Sequence, residues 1–320
     1  MDKPTYPTSP AFSAWQAYYQ PETAAEALRL LAAHDGAARV IAGGTDLLLE
    51  IQQGRRPEIQ ALVDVTGIAG MTAITHHAHY LEVGAAATHA QIGQSALLQE
   101  RATCLVESCG VIGGPQVRHV ATLGGNVAHA LPAADGTTAL IALAAEAEIV
   151  EPTRTTWQPV LSLFAGPGQP TFDPCRALLT RFRFAVAPHS GTAFSRVMRP
   201  QGVALPILAC AVWVQLSQPD PRSPIAAARI CLGPVAPTPQ RAAHAEAALV
   251  GRCLPDALEA CIAAAQSELH PRPSKHRATV AYRQQMIAVL LRRTLPLAAH
   301  RAAAAELFSI SHSPIHQFTY

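Results

Sequence analysis

Charge is scarce in this chain. Asp, Glu, Lys and Arg make up 14% of its 320 residues against 49% hydrophobic, and the formal net charge is +2. No dense Lys/Arg run is present, which removes the electrostatic basis for binding nucleic acid or a membrane surface. Long apolar runs are missing too: "LIALAAEAEIV" and "ACAVWVQL" are too short to span a bilayer. The start "MDKPTYPTSPAF" lacks a basic segment followed by an apolar one, so no signal peptide is expected. Seven cysteines, at 104, 109, 175, 210, 231, 253 and 261, form no CxxC, which indicates neither a disulfide framework nor a zinc knuckle. A cytoplasmic protein is the simplest expectation. The low charge itself admits two readings, surface buried against partner subunits or an alanine-rich composition in which Ala replaces surface Lys and Glu.

What is present is a regular alternation of helix and strand signals. "ETAAEALRLLAAH" (22–34) has Ala25, Leu28, Leu31 and Ala32 at helical spacing. "ARVIAGGTDLLLEI" predicts a buried strand, a Gly-Gly turn and a helix that Thr45 or Asp46 could cap. Strands are expected at "ALVDVTGI", "HHAHYLEVGAAAT" and "ALLTRFRFAV", and a helix capped by Thr88 at "THAQIGQSALLQE". After a helical lead-in, glycine turns follow at Gly110, Gly113-Gly114-Pro115 and Gly124-Gly125. A break near 186–192 is followed by two antiparallel strands, "LPILACAVWVQLS" and "AAARICLGPVAPTP", and then by a mostly helical remainder.

Glycine pairs stand at 43–44 and 124–125, each after an apolar run and before a small polar residue. Without Cβ atoms, successive backbone N–H groups can converge into an anion-binding nest, and a following helix adds its positive end. Two such turns would suit a ligand with two phosphates, although each taken alone reads first as an ordinary tight turn. Other phosphate and hydrolase motifs are absent: no GxGxxG after a strand, no GxxxxGK[ST], no HExxH and no GxSxG. His76, His77 and His79 lack matched Cys or acidic partners and read as a solvated turn.

"AGGTDLL" (42–48) and "ATLGGNVAHALPAAD" (121–135) closely resemble the two FAD-binding signatures of the flavin subunit of molybdenum hydroxylases. That group includes the xanthine dehydrogenases and the aerobic carbon monoxide dehydrogenases. "GPVAPTPQRAAHAEAALVG" (233–251) and "RATVAYRQQMIAVLLRRTL" (277–295) are similar to the same subunit's C-terminal domain. The resemblance implies an α+β fold: a two-subdomain FAD-binding module of the vanillyl-alcohol-oxidase and MurB-like type, followed by a smaller domain of three-stranded antiparallel sheet and helical bundle. The expected limits are 1–187 for the FAD-binding module (subdomains about 1–62 and 63–187), 188–300 for the C-terminal domain and 301–320 for a tail.

The same resemblance implies non-covalent FAD held between two walls. Ile41, Ala42, Gly43, Gly44, Thr45, Asp46, Leu47 and Leu48 would form one, and Thr122, Leu123, Gly124, Gly125 and Asn126 the other. Asp135 matches an acidic residue that contacts the cofactor, and Ile112 and Leu178 fall where apolar residues line the flavin or adenine pocket. Phe194 and Arg196 fall where relatives carry an aromatic residue and a lysine near the isoalloxazine, and a cation at 196 would favour the anionic reduced flavin. No residue is assigned as catalytic or metal-ligating. The implied partners are a small subunit with two [2Fe-2S] clusters and a large molybdopterin subunit, as a dimer of heterotrimers, with NAD+, oxygen or another acceptor receiving the electrons. No cysteine stands between Gly125 and Cys175, so the [4Fe-4S] loop of some relatives is not expected here. Lys275 replaces an acidic residue of many relatives, and Pro200 replaces a basic one. A stand-alone flavin oxidoreductase and a flavin-free assembly subunit remain the alternatives.

Overall fold

The computed structural model describes residues 15–56, 59–200, 204–273 and 278–304; Lys275 and 305–320 of the expected tail lie outside them. Thr23 opens the first helix, Ala24–Ala33, its hydroxyl accepting from the N–H of Glu26 at 3.1 Å. Ala27, Leu28 and Leu31 of this helix are buried in one core with Ala38, Ala61 and Val63. Strands Ala17–Tyr19, Ala38–Ile41 and Ala61–Asp64 form a small parallel sheet with Ala61–Asp64 at its centre. That central strand straddles residue 62, the edge expected between the first two units, and pairs with both neighbours along its length.

The second sheet is antiparallel, in the order Ile74–His77, Tyr80–Gly84, Leu178–Ala185, Glu146–Val150, Thr155–Pro159. Its middle strand, Leu178–Ala185, comes from far along the chain to pair with Tyr80–Gly84 and Glu146–Val150. The helices between His89 and Ala142 share a core with this sheet: Ile92, Leu105, Leu123 and Leu140 are buried with Leu81, Val83, Ile149 and Phe182. Thr88 caps its helix through a reciprocal box with Gln91. The single helix expected there breaks at Ser95, which ends His89–Gln94 and caps Ala96–Arg101.

The third sheet has three long antiparallel strands, Ser190–Val197, Leu208–Leu216 and Ile225–Gly233, with Gln240–Arg241 as a two-residue edge. The near-continuous apolar run of Leu208–Leu216 has a simple cause. Ala209, Ala211 and Trp213 face the N-terminal core, while Cys210, Val212 and Val214 face the core of the C-terminal helices. Those helices are Ala243–Leu249, Leu254–Glu268 and Val280–Ala304. The last lies so close to the first strand that a Cβ at Gly191 would fall 2.2 Å from the carbonyl oxygen of Ala298. Among the described residues no helix is long and apolar enough to cross a membrane.

Candidate functional site

Where strand Ala38–Ile41 ends, the chain turns through Ala42–Asp46 into helix Leu47–Gln52. This turn abuts the end of helix Pro115–Val120: a Cβ on Gly43 would lie 2.1 Å from the Val120 carbonyl oxygen and 2.7 Å from the Ala121 Cα. Only glycine permits that approach. Gly44 then takes φ +65°, a left-handed conformation that disfavours any other residue. Among the described residues none accepts a hydrogen bond from the N–H of Gly43, Gly44, Thr45 or Asp46. Asp46 stands at the cap position of the following helix, but neither it nor Thr45 caps it through a side chain.

The second glycine pair is built differently. It lies within the first turn of helix Leu123–Ala128, whose cap is Thr122, with Oγ1 accepting from Gly125 N at 3.1 Å. Leu123 N and Gly124 N donate to the carbonyls of Ala87 and Ala85 at 3.0 and 2.7 Å, and Asn126 N donates to Thr122 O at 3.0 Å. A Cβ on Gly124 would meet the Ala85 oxygen at 2.6 Å, so this glycine serves helix-to-sheet packing. Two matching amide nests were expected; the structure has one open run of amides facing a helix whose first amides are already engaged.

Both segments line a cavity of about 450 Å³, within the ordinary range for small-molecule sites. Of the residues singled out in the sequence, Ile41, Ala42, Gly43, Gly44, Thr45, Asp46, Leu47, Ile112, Thr122, Gly125, Asn126, Asp135 and Arg196 converge on it. Leu48, Leu123, Gly124, Leu178 and Phe194 are not among its lining residues. Leu48 turns back onto the cluster of Ile41, Ile59 and Leu62. Leu123, Leu178 and Phe194 are buried in the main core; Phe194 shares a strand face with Arg196 but packs into that core two residues away from it. Phe194 instead contributes its backbone N–H to Glu107 Oε2 at 2.7 Å.

Asp135 and Arg196 meet at the cavity wall, with Arg196 Nη1 donating to Asp135 Oδ2 at 2.5 Å and side-chain exposures of 9% and 3% for Arg and Asp. Arg196 Nη2 also donates to the Val111 carbonyl at 2.7 Å. Burial pushes the Asp135 carboxyl up to about 7, against the downward pull of Arg196. The sequence suggested Arg196 as a cation that would favour the anionic reduced flavin. In the fold its charge is opposed by Asp135, because two buried charges placed apart would each be costly to desolvate.

Several lining residues escaped sequence reasoning, among them Arg39, Arg56, His89, Val117 and His129. Arg39 is tethered through Nη1 to the carbonyls of Gly36 and Ala38 at 2.6 and 2.8 Å. Glu50 sits between Arg56, at 2.7 Å, and His129, at 4.0 Å. Of these only His129 lies within a glycine motif, 121–135, where no role was assigned to it; tertiary contact assembles the set. His76 and His77 lie on strand Ile74–His77, with His77 stacked on Tyr80 and 3.5 Å from Glu82. Among the described residues no group of three or more His, Cys, Asp or Glu is placed to hold a metal ion. A run of unengaged amides beside apolar and cationic walls suits an elongated ligand with an anionic middle.

Comparison with known proteins points the same way. Residues 10–185 match the model described as FAD binding domain in molybdopterin dehydrogenase, and 192–298 match the CO dehydrogenase flavoprotein C-terminal domain. The xanthine dehydrogenase FAD-binding subunit of Escherichia coli O157:H7 is 28% identical over 282 residues, 87% of this chain and 94% of that protein. The carbon monoxide dehydrogenase medium chain of Afipia carboxidovorans is 31% identical over 288 residues, 89% and 97% of the two chains. The crystal structure of the Cu,Mo-CO dehydrogenase in its cyanide-inactivated form contains a chain that superposes with TM-score 0.81 at 29% identity, covering 89% of this chain and 98% of that one.

Proposed function

The chain belongs to the family of FAD-binding flavoproteins of the molybdopterin dehydrogenases, and from that premise we propose that it is the electron-transfer subunit of a molybdenum-containing hydroxylase or dehydrogenase. In this reading it accepts electrons from [2Fe-2S] clusters of a small partner subunit, while a large partner carries molybdopterin and the substrate. The electrons leave to NAD+, oxygen or another acceptor. The observation that carries the reading is the Ala42–Asp46 turn, pressed by Gly43 against Val120–Ala121 and offering four consecutive amides without an internal acceptor.

The residues fit the cofactor. The amides of Gly43, Gly44, Thr45 and Asp46 would hold the diphosphate, with Gly125 keeping the opposite wall free of a side chain. Ile112 and Val117 supply apolar surface for an aromatic ring. Bound FAD supplies the exchange between one-electron and two-electron transfer; the protein supplies placement and local charge. Arg196 and Asp135 form a paired charge at the wall, so the local charge changes with the protonation of Asp135 and not through a fixed cation.

The test is an anaerobic titration of the co-purified complex with dithionite, followed by exposure to NAD+ or oxygen. Iron–sulfur and flavin absorbance should bleach in a common reduction and return when the acceptor is added. A flavin that stays oxidised while the clusters are fully reduced, and remains so on standing, would contradict an electron path through this chain.

A further inference from the structure

His89 occupies an unusual position for an ionisable side chain. It is 2% exposed, it lines the cavity, and it opens helix His89–Gln94 with its backbone N–H donating to Ala121 O at 3.1 Å. The adjacent Thr88 and Thr122 form an isolated bridge, and Ala121 is also the residue against which Gly43 packs. His89, Ala121 and the Gly43 turn therefore lie side by side along the cavity lining.

The two ring nitrogens differ. Nδ1 is sealed from solvent and has no hydrogen-bond partner among the described residues. Nε2 is not among the sealed, unpartnered atoms, and no group among the described residues bonds it. It is the nitrogen that a cavity ligand can reach. Burial, aided by the nearby Arg118 guanidinium, lowers the imidazole pKa to about 4, so the ring is neutral near pH 7. A neutral ring carries one N–H. A buried N–H without an acceptor is rarer and costlier than a lone pair without a donor, which favours the tautomer with hydrogen on Nε2.

Resting on the flavin reading above, we propose that His89 donates a hydrogen bond from Nε2 to a phosphoryl oxygen of the bound dinucleotide, completing on the helix side the cradle that the Gly43–Asp46 amides form on the other. The bond supplies direction without a positive charge of its own. The nearby Arg118 guanidinium is engaged through Nη1 with the carbonyls of Ile112 and Gly113 at 3.2 and 2.8 Å. It adds favourable potential without competing for the same oxygen.

The experiment measures the binding of FAD and of riboflavin, which lacks phosphate, to the flavin-stripped full chain and its His89→Leu and His89→Gln variants. Phosphorus NMR of bound FAD is recorded beside it. His89→Leu should weaken FAD by roughly tenfold to a hundredfold, as expected for losing a hydrogen bond to a charged group, and leave riboflavin unchanged. His89→Gln, whose amide nitrogen reaches a similar point, should restore most of the affinity, and the diphosphate resonances should move in His89→Leu. Unchanged FAD affinity in His89→Leu, or equal losses for FAD and riboflavin, would overturn the proposal. A wild-type chain that binds riboflavin and FAD equally would also overturn it, whereas one that binds neither would defeat the flavin reading itself.

Discussion

Arg196 and Asp135 are 61 residues apart in sequence and 2.5 Å apart at the cavity wall, each almost fully buried. Asp135 Oδ1 and Arg196 Nε, also buried, have no partner among the described residues. The pair is therefore incompletely satisfied, and removing either partner has a direct consequence. Asp135→Leu leaves a buried guanidinium without its counter-charge and should cost about 3–5 kcal/mol in urea unfolding. Asp135→Asn, which mimics the protonated acid and keeps an acceptor for Arg196, should cost much less near pH 5.

His89 and Asp135 make opposite contributions to stability as pH changes. The lowered His89 value, about 4 against 6.5, means the unfolded chain binds the extra proton first, so stability is lost as pH falls from 6.5 toward 4. The raised Asp135 value, about 7 against 3.8, means the folded chain keeps its proton longer, so stability is lost as pH rises from about 4 toward 7. Each slope approaches about 1.4 kcal/mol per pH unit between those limits, and over pH 4.5 to 6 the two largely cancel. Chemical denaturation across that range should therefore show, relative to wild type, stability declining with pH in His89→Gln and climbing in Asp135→Asn. Parallel curves for all three chains would contradict these assignments.

The two glycine pairs should respond differently to alanine. Gly43→Ala places a Cβ 2.1 Å from the Val120 oxygen and must push two backbone segments apart, so both FAD binding and stability should fall, the latter by about 1–3 kcal/mol. Gly125→Ala meets only Thr122 Oγ1, at 3.2 Å, while adding a methyl to the cavity wall. Its thermal unfolding should be near wild type and its FAD affinity reduced.

Strand Ser190–Val197 carries Arg196 to the cavity, and the last helix holds that strand in place. Arg301 donates to Thr192 O at 2.7 Å and to Glu107 Oε1 at 2.5 Å, while Glu107 accepts from Phe194 N at 2.7 Å. Arg301→Ala should cost about 1.5–3 kcal/mol, as for charge-assisted bonds in a partly buried setting. Hydrogen exchange should then quicken at the Phe194 amide, which is read by mass spectrometry or NMR.

Local signals made many elements legible. The cap at Thr88, the helical spacing of Leu28 and Leu31, and the apolar run of Leu208–Leu216 all act over a few residues. The break at Ser95 and the helix through Gly124-Gly125 were hidden. Glycine is a poor helix former, and only the close contact with Ala85 explains its presence there. At the site, the first glycine turn could be read because its chemistry is contiguous. The Arg196–Asp135 pairing, the inward ends of Arg39 and His89, and the withdrawal of Leu178 and Phe194 into the core depend on contacts between distant segments, which no local period encodes.

The most direct test of the account is the absorption spectrum of the purified full chain before and after acid precipitation. The account predicts a flavin spectrum that passes into the supernatant as intact FAD, equimolar with the chain, and is lost from the Gly43→Ala variant. A chain that stays colourless when supplied with FAD, alone and with its partner subunits, would contradict it.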